Sequence, residues 1–314
     1  MVDETWTFPR HIHYEQSLRD VAAKWFTEKD YPVSKKMKYI LASRDDWHKN
    51  IILPEVAEYI DDQKAKHEQA KLSYPLHRYI HHGLSSQALL INLIGPLIVR
   101  EDLEPLKFAI ENTGLEWPEG EISAEFEFED REVFKENQGQ PTSIDLVIGD
   151  DLNAPNIFVE SKFVEKEFGG CSLFEKGDCD GSNPAVDFSR CYLHQVKRQY
   201  WVLMKKHGFL EGPLAKESTC IMPGYYQFFR EVLMALELGG VFVLLCDSRS
   251  PTFAYKSKDT NRGLFPFLLS LVPERLHPKI KIIYIQEVVD AIRESGRHEW
   301  ISEFEMKYGL VRET

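Results

Sequence analysis

Apolar and polar residues change their period several times along the chain, and each change marks an element. Residues 14–29 carry apolar positions near helical spacing. Residues 54–71 continue as a strongly polar helix, with Asp61 and Asp62 within helical reach of Lys64 and Lys66, which is a solvated face. From Ala88 to Ile98 apolar residues run almost all round a helix that Ser85 or Ser86 can cap, so this helix belongs in a core. The period then switches to two in EISAEFEFEDREVF (121–134). There Glu125, Glu127 and Glu129 alternate with Phe126 and Phe128, the pattern of a half-buried strand with an acidic outer face. Two short apolar strands follow, 142–149 and 156–164, joined by a turn rich in Asp, Asn and Pro.

Beyond a glycine-containing loop, one long helix is expected over 185–207, ending at Gly208, and another over 224–238, ahead of Gly239 and Gly240. VFVLLCD (241–247) reads as a buried strand and KIKIIYIQ (279–286) as one more, with a closing helix from near Gln286. Strands joined by short turns pair antiparallel, whereas strands entered from helices add in parallel. The expected fold is α/β, a mixed central sheet of about five strands flanked by helices. It occupies residues 81–314, after an N-terminal helical accessory region at 1–80.

Composition supports a folded chain: 314 residues with 43% hydrophobic and 12% aromatic content can fill a core. No run of about 18 apolar residues is present, so no membrane helix is expected. The N-terminus lacks the basic-then-apolar pattern of a secretory signal, and a soluble, cytoplasmic protein is the expectation. A net charge of -12 excludes a uniformly basic nucleic-acid binder, but not one whose cations gather on one face. Residues 188–210 are such a stretch, acid-free and carrying Arg190, Lys197, Arg198, Lys205 and Lys206. His194, Arg198, Trp201 and Lys205 fall on one face of the expected helix. As phosphate contacts, His194, Lys197, Arg198 and Lys205 would give affinity without sequence choice; solvated charge on an amphipathic helix is the bland alternative.

The chemistry concentrates at residues 142–164. Charged groups are rarely placed in buried strands unless paired or bound to a metal. Asp145 sits in the first strand; Glu160 and Lys162, two apart, emerge from one face of the second. Pairing across the turn can set Asp145 beside Glu160. Two carboxylates in a poorly solvated cleft repel, and one protonates unless a cation lies between them. Two acids with waters, and the backbone carbonyl of Ser161 as a further ligand, form the oxygen set that Mg²⁺ accepts, with Mn²⁺ as a substitute. Such a metal lowers the pKa of a bound water and neutralises charge on a phosphate. Lys162 can orient or deprotonate that water or stabilise the transition state. Phosphodiester hydrolysis needs all of these parts.

Asp145 followed by Glu160-Ser161-Lys162 resembles the D…(D/E)xK signature of the PD-(D/E)XK nuclease superfamily, and the element order over about 80–250 is similar to its restriction-endonuclease-like core. The resemblance implies Mg²⁺-dependent cleavage of DNA, with Asp145 and Glu160 as metal ligands and Lys162 in catalysis. DNA is then the partner, a homodimer is compatible, and no membrane is involved. The chain departs from the pattern in three places. Ile144 stands where a proline is usual, and the first core helix offers Gln87 and Asn92 where many members carry a glutamate. The glutamine and tyrosine that some members place four apart on the next helix are matched imperfectly by Gln195, Gln199 and Tyr200. Gln87 and Glu125, the latter at the edge of the acidic strand, are further candidates for the site.

Some nucleases of this superfamily hold an iron–sulfur cluster on four cysteines. Cys171, Cys179, Cys191 and Cys220 match no zinc or cluster spacing, so free thiols are expected, with Cys246 packed inside a strand. Two alternatives to the nuclease stand beside it. One is a structural salt bridge at Glu160 and Lys162. The other is a catalytically inactive nuclease fold that binds nucleic acid or protein. A small-molecule enzyme is disfavoured because no GxxxxGK[ST] phosphate loop is present.

Overall fold

The computed structural model describes residues 9–72, 74–256 and 261–311. Residues 1–8, the start of the expected accessory region and of the segment read for a signal, lie outside the described residues. Helix α1 (His11–Glu28) and the polar helix α2 (Pro54–Gln69) lead to α3 (Ser86–Val99). The Ser85 hydroxyl accepts from the Ala88 amide at 3.2 Å, and every residue from Gln87 to Leu97 is buried, as an all-round apolar helix demands. A short α4 (Glu104–Glu111) precedes the sheet.

The central sheet runs β1 (Ser123–Glu129), β2 (Ser143–Gly149), β3 (Ile157–Lys162), β4 (Val241–Cys246) and β7 (Ile280–Tyr284), neighbours in that order. The first three pair antiparallel, β1 with β2 across the long connection 130–142 and β2 with β3 across the turn 150–156; β4 and β7 add in parallel after helical crossovers. This is the expected mixed α/β sheet of five strands. Between β3 and β4 lie α5 (Ser172–Glu175), α6 (Tyr192–Gln195), α7 (Tyr200–Lys206) and α8 (Met222–Glu237). A ribbon of β5 (Tyr255–Lys256) and β6 (Asn261–Arg262) and helix α9 (Leu264–Ser270) precede β7. The chain closes with α10 (Ile285–Ser295) and α11 (Ile301–Tyr308).

Strand alternation sends two apolar sets to opposite faces. Leu146, Val159, Val243 and Leu245 pack under α1 to α4, α10 and α11. Val147, Phe158, Phe242 and Leu244 pack under α7, α8 and α9. Residues from both sides of position 80 enter the first of these cores, Tyr14 and Leu18 alongside Leu89 and Val159. Gly95 sets how closely α2 approaches α3, because a Cβ there would lie 2.5 Å from Cγ1 of Val56. Gly95→Ala should therefore cost about 1–3 kcal/mol through overpacking, read as a lower urea midpoint at unchanged slope. An unchanged midpoint would show that α2 yields freely. No helix among the described residues is long and apolar enough to cross a membrane.

The long helix expected over 185–207 is corrected to three pieces: a single turn at Phe188–Arg190, α6 and α7. The break falls at Lys197, which adopts φ 70°. There the Lys197 amide donates to the His194 carbonyl and the Arg198 amide to the Leu193 carbonyl, the closing pattern of a helix terminus built without glycine. The Arg198 guanidinium fixes the turn by donating to the carbonyls of Lys135 and Gln138 at 2.6 and 2.7 Å. His194, Arg198, Trp201 and Lys205 consequently share no continuous helical face, and Trp201 is buried in the core beneath α7.

Candidate active site

Asp145 lies where the sheet opens. The β2–β3 ladder ends at Leu146 opposite Val159, one step short of Asp145 and Glu160. On its other side β1 pairs through Phe126 with Leu146 and Phe128 with Ile144, skipping the position between. Released from the ladder on both sides, the Asp145 carboxylate accepts the Ser161 amide at 2.8 Å. Glu160 and Lys162 project from the β3 face that carries Phe158, toward α8. Asp145 is half-buried, whereas Glu160 and Lys162 are buried, so the pair opens to solvent on the aspartate side.

Helix α8 completes the cluster. Lys162 Nζ donates to Glu160 Oε1 at 2.6 Å and to Gln227 Oε1 at 3.0 Å, and Gln227 Nε2 donates to the same Glu160 oxygen at 2.7 Å. Glu160 Oε2 and Oε2 of Glu231, one helical turn beyond Gln227, are buried without an N–H donor, and the two carboxyls can hydrogen-bond only by sharing a proton. Burial raises the Glu160 pKa well above its ordinary value, and the neighbouring Glu231 adds to the shift. Burial, with Glu160 alongside, raises Asp145 likewise, against the pull of Lys162 and the Ser161 amide. Burial pushes Glu231 up to about 7 although Lys162 opposes it. Burial alone would lower the Lys162 ammonium, but Glu160, Glu231, Glu165 and Asp145 outweigh it and hold it above the usual lysine range. Within the cluster itself one ammonium faces the three carboxyl groups of Asp145, Glu160 and Glu231, which at neutral pH must hold protons or take another cation.

A fourth acid approaches from β1. Glu127 belongs to the strand face expected to be solvated, yet it is buried. Its φ of 60° reverses the face order: Phe126 packs on the α3 side and Phe128 on the α8 side. Its carboxyl accepts from Gln87 Nε2 at 2.6 Å and the Ser143 hydroxyl at 3.2 Å, while burial and nearby Asp145 push its pKa up to about 8. Gln87 therefore reaches the cluster through Glu127.

A family model described as Restriction Endonuclease associating with ARP matches residues 19–309. The chain belongs to this restriction endonuclease family. The match takes in the N-terminal layer from within α1, the whole sheet and the cluster around Asp145. No curated protein and no solved structure matches the chain.

In this member of the restriction endonuclease family, several expected positions lie elsewhere. Glu125 is 3.4 Å from His67 on the outer strand, and Glu127 takes the place beside Asp145. Gln195 donates to the Ser189 carbonyl and Gln199 to that of Lys197. Tyr200 donates to Glu136 and packs on Phe134 and Tyr226. The glutamine that touches Lys162 and Glu160 is instead Gln227, on α8, because the segment 163–221 is inserted between β3 and its packing helix. Its signal in the sequence is Glu231, an acid set among Phe228, Val232 and Ala235 on an apolar helical face. Lys197 and Lys205 are exposed, while Lys206 pairs with Glu237 at 2.8 Å.

None of the five cysteines forms a disulfide. Cys171, Cys179, Cys191 and Cys220 nevertheless gather around one cavity of about 20 Å³, closed by Trp201 and Tyr226, a convergence that their spacing does not reveal. Burial pushes the Cys220 thiol up to about 12. Among the described residues, no three His, Cys, Asp or Glu side chains converge as a ready metal-binding group. A cavity of about 1230 Å³ runs along β1 and is lined by Glu101, Glu104, Glu119, Glu121 and Glu125, a charge that opposes a polyanion; Asp145, Glu160 and Lys162 do not line it.

Proposed function

We propose that this chain is a Mg²⁺-dependent deoxyribonuclease whose phosphodiester hydrolysis depends on Asp145, Glu160 and Lys162. The observation that carries the reading is an acid pair with a charged lysine at the point where β2 leaves the ladder. The donor set fits a hard cation. It is all oxygen, one Glu160 oxygen has no N–H donor and meets the Glu231 carboxyl, and a single ammonium leaves carboxyl charge to be met by protons or a cation. Asp145 and Glu160, with the Ser161 carbonyl, would hold Mg²⁺ or Mn²⁺. When bound, such an ion supplies an activated water and neutralises charge on a phosphate.

The chain's own groups do the rest. In the metal-free site Lys162 is held as an ammonium by its acidic neighbours, and in that form it stabilises negative charge at the scissile phosphate. Gln227 bridges Lys162 and Glu160 and fixes both. Membership of a restriction endonuclease family supports DNA as the substrate. Linear, circular and single-stranded DNA incubated with Mg²⁺, Mn²⁺ or chelator decide the matter: cleavage is expected only with metal. A wild-type protein that binds DNA equally with and without metal and cuts none would favour the inactive binding module. The closed Lys162–Glu160 ion pair is the feature that fits that second reading.

A further inference from the structure

We propose that a basic surface formed by residues 31–44 and 74–82 holds the phosphodiester backbone of duplex DNA against the Asp145–Glu160–Lys162 site; this rests on the nuclease reading above. In a chain of net charge -12, residues 31–44 carry Lys35, Lys36, Lys38 and Arg44 without one acid, and no acid occurs over 69–100. The fold brings the two segments together. Ile40 bridges His82, the Leu41 amide donates to the His81 carbonyl at 3.2 Å, and the Gly83 amide donates to the Tyr39 carbonyl at 2.8 Å. Arg44 donates to the Leu76 carbonyl at 2.8 Å, closing the other end.

Lys35, Lys36, Lys38 and Arg78 are all exposed. The Arg78 guanidinium lies 4.5 Å from the centre of the Tyr79 ring, and that ring is flanked by His77 at 5.1 Å and His82 at 4.8 Å. A planar cation already ordered on an aromatic ring loses little freedom when it meets a phosphate. The surface also leads directly into the site. The His77 amide donates to Gln87 Oε1 at 2.8 Å, and Gln87 Nε2 donates to Glu127, the acid beside Asp145. By contrast, two cations of the 188–210 segment are already engaged, Arg198 with main-chain carbonyls and Lys206 with Glu237. Clustered exposed cations suit a polyanion better than a protein interface, whose centre is depleted of charge.

The test is binding of a fluorescent duplex in chelator, where no cleavage occurs, across a salt series. The triple variant Lys35→Ala, Lys36→Ala, Arg78→Ala should bind about tenfold or more weakly, and its salt slope should fall by about 2.7, roughly 0.9 per lost phosphate contact. Lys197→Ala with Lys205→Ala should leave both unchanged. An unaltered slope in the triple variant, an equal loss in the second variant, or no duplex binding by the wild type overturns the proposal. A wild type that binds with the expected slope change yet never cuts DNA with metal present supports the surface and refutes the nuclease.

Discussion

Lys162→Ala and Asp145→Asn are each expected to lower metal-dependent DNA cleavage by about a hundredfold to a thousandfold or more while leaving the fold intact. The scale is that of removing one pre-positioned group that meets charge as it develops in the transition state. Asp145→Asn keeps a side-chain oxygen to accept the Ser161 amide, so the strand opening survives, but the anionic ligand is gone. Lys162→Ala removes the one ammonium among the acids. The raised affinities of Glu160 and Glu231 for protons let the cluster neutralise itself, so no bare charge is left behind. Circular dichroism and thermal melting of both variants should resemble the wild type, which separates a chemical defect from a folding one. Cleavage at wild-type rate in either variant removes that residue from the mechanism.

Stability of the metal-free protein should fall between acid and neutral pH, and the acid cluster sets the sign. Below its unfolded value of 4.5 the Glu231 carboxyl is neutral in both states, and its contribution to stability is complete. Between 4.5 and its folded value of about 7 the unfolded chain has released a proton that the native chain keeps, so stability declines as pH rises. The loss is on the order of 3 kcal/mol once the folded group ionises. Glu127 extends the decline toward about 8. Glu231→Gln should flatten this part of the profile, and Mg²⁺ or Ca²⁺ at a hundredfold excess over its dissociation constant should restore about 2.7 kcal/mol to the wild type. Denaturant melts from about pH 5 to 8 check both statements. Identical pH profiles for wild type and Glu231→Gln, or indifference to divalent cations, would break the link between buried carboxyls and metal.

The strands and the Asp145–Glu160–Lys162 trio were legible in the sequence for one physical reason: charged residues are conspicuous in apolar runs, and a strand's period of two fixes which of them share a face. The same rule misplaced Glu127, because alternation presumes an unbroken strand and a positive φ turned this residue inward. Gln227 and Glu231 could not be joined to the site by local spacing, since 65 positions separate Gln227 from Lys162 and only packing of α8 on β3 unites them. The break at Lys197 was hidden because neither glycine nor proline marks it; the Arg198 contacts to the β1–β2 connection are long-range. Four cysteines at irregular intervals meet for a similar reason, as the walls of one small cavity.

The bond from the Ser161 amide to Asp145 gives the site its own spectroscopic reporter. An amide held by a carboxylate, and not by a ladder carbonyl, feels that carboxylate's charge directly. Its proton resonance and its exchange with solvent will therefore follow protonation of Asp145, and a cation drawing on the same carboxylate will displace both. One backbone signal, assigned by its loss of titration in Asp145→Asn, reads the occupancy of the cleft without any substrate present.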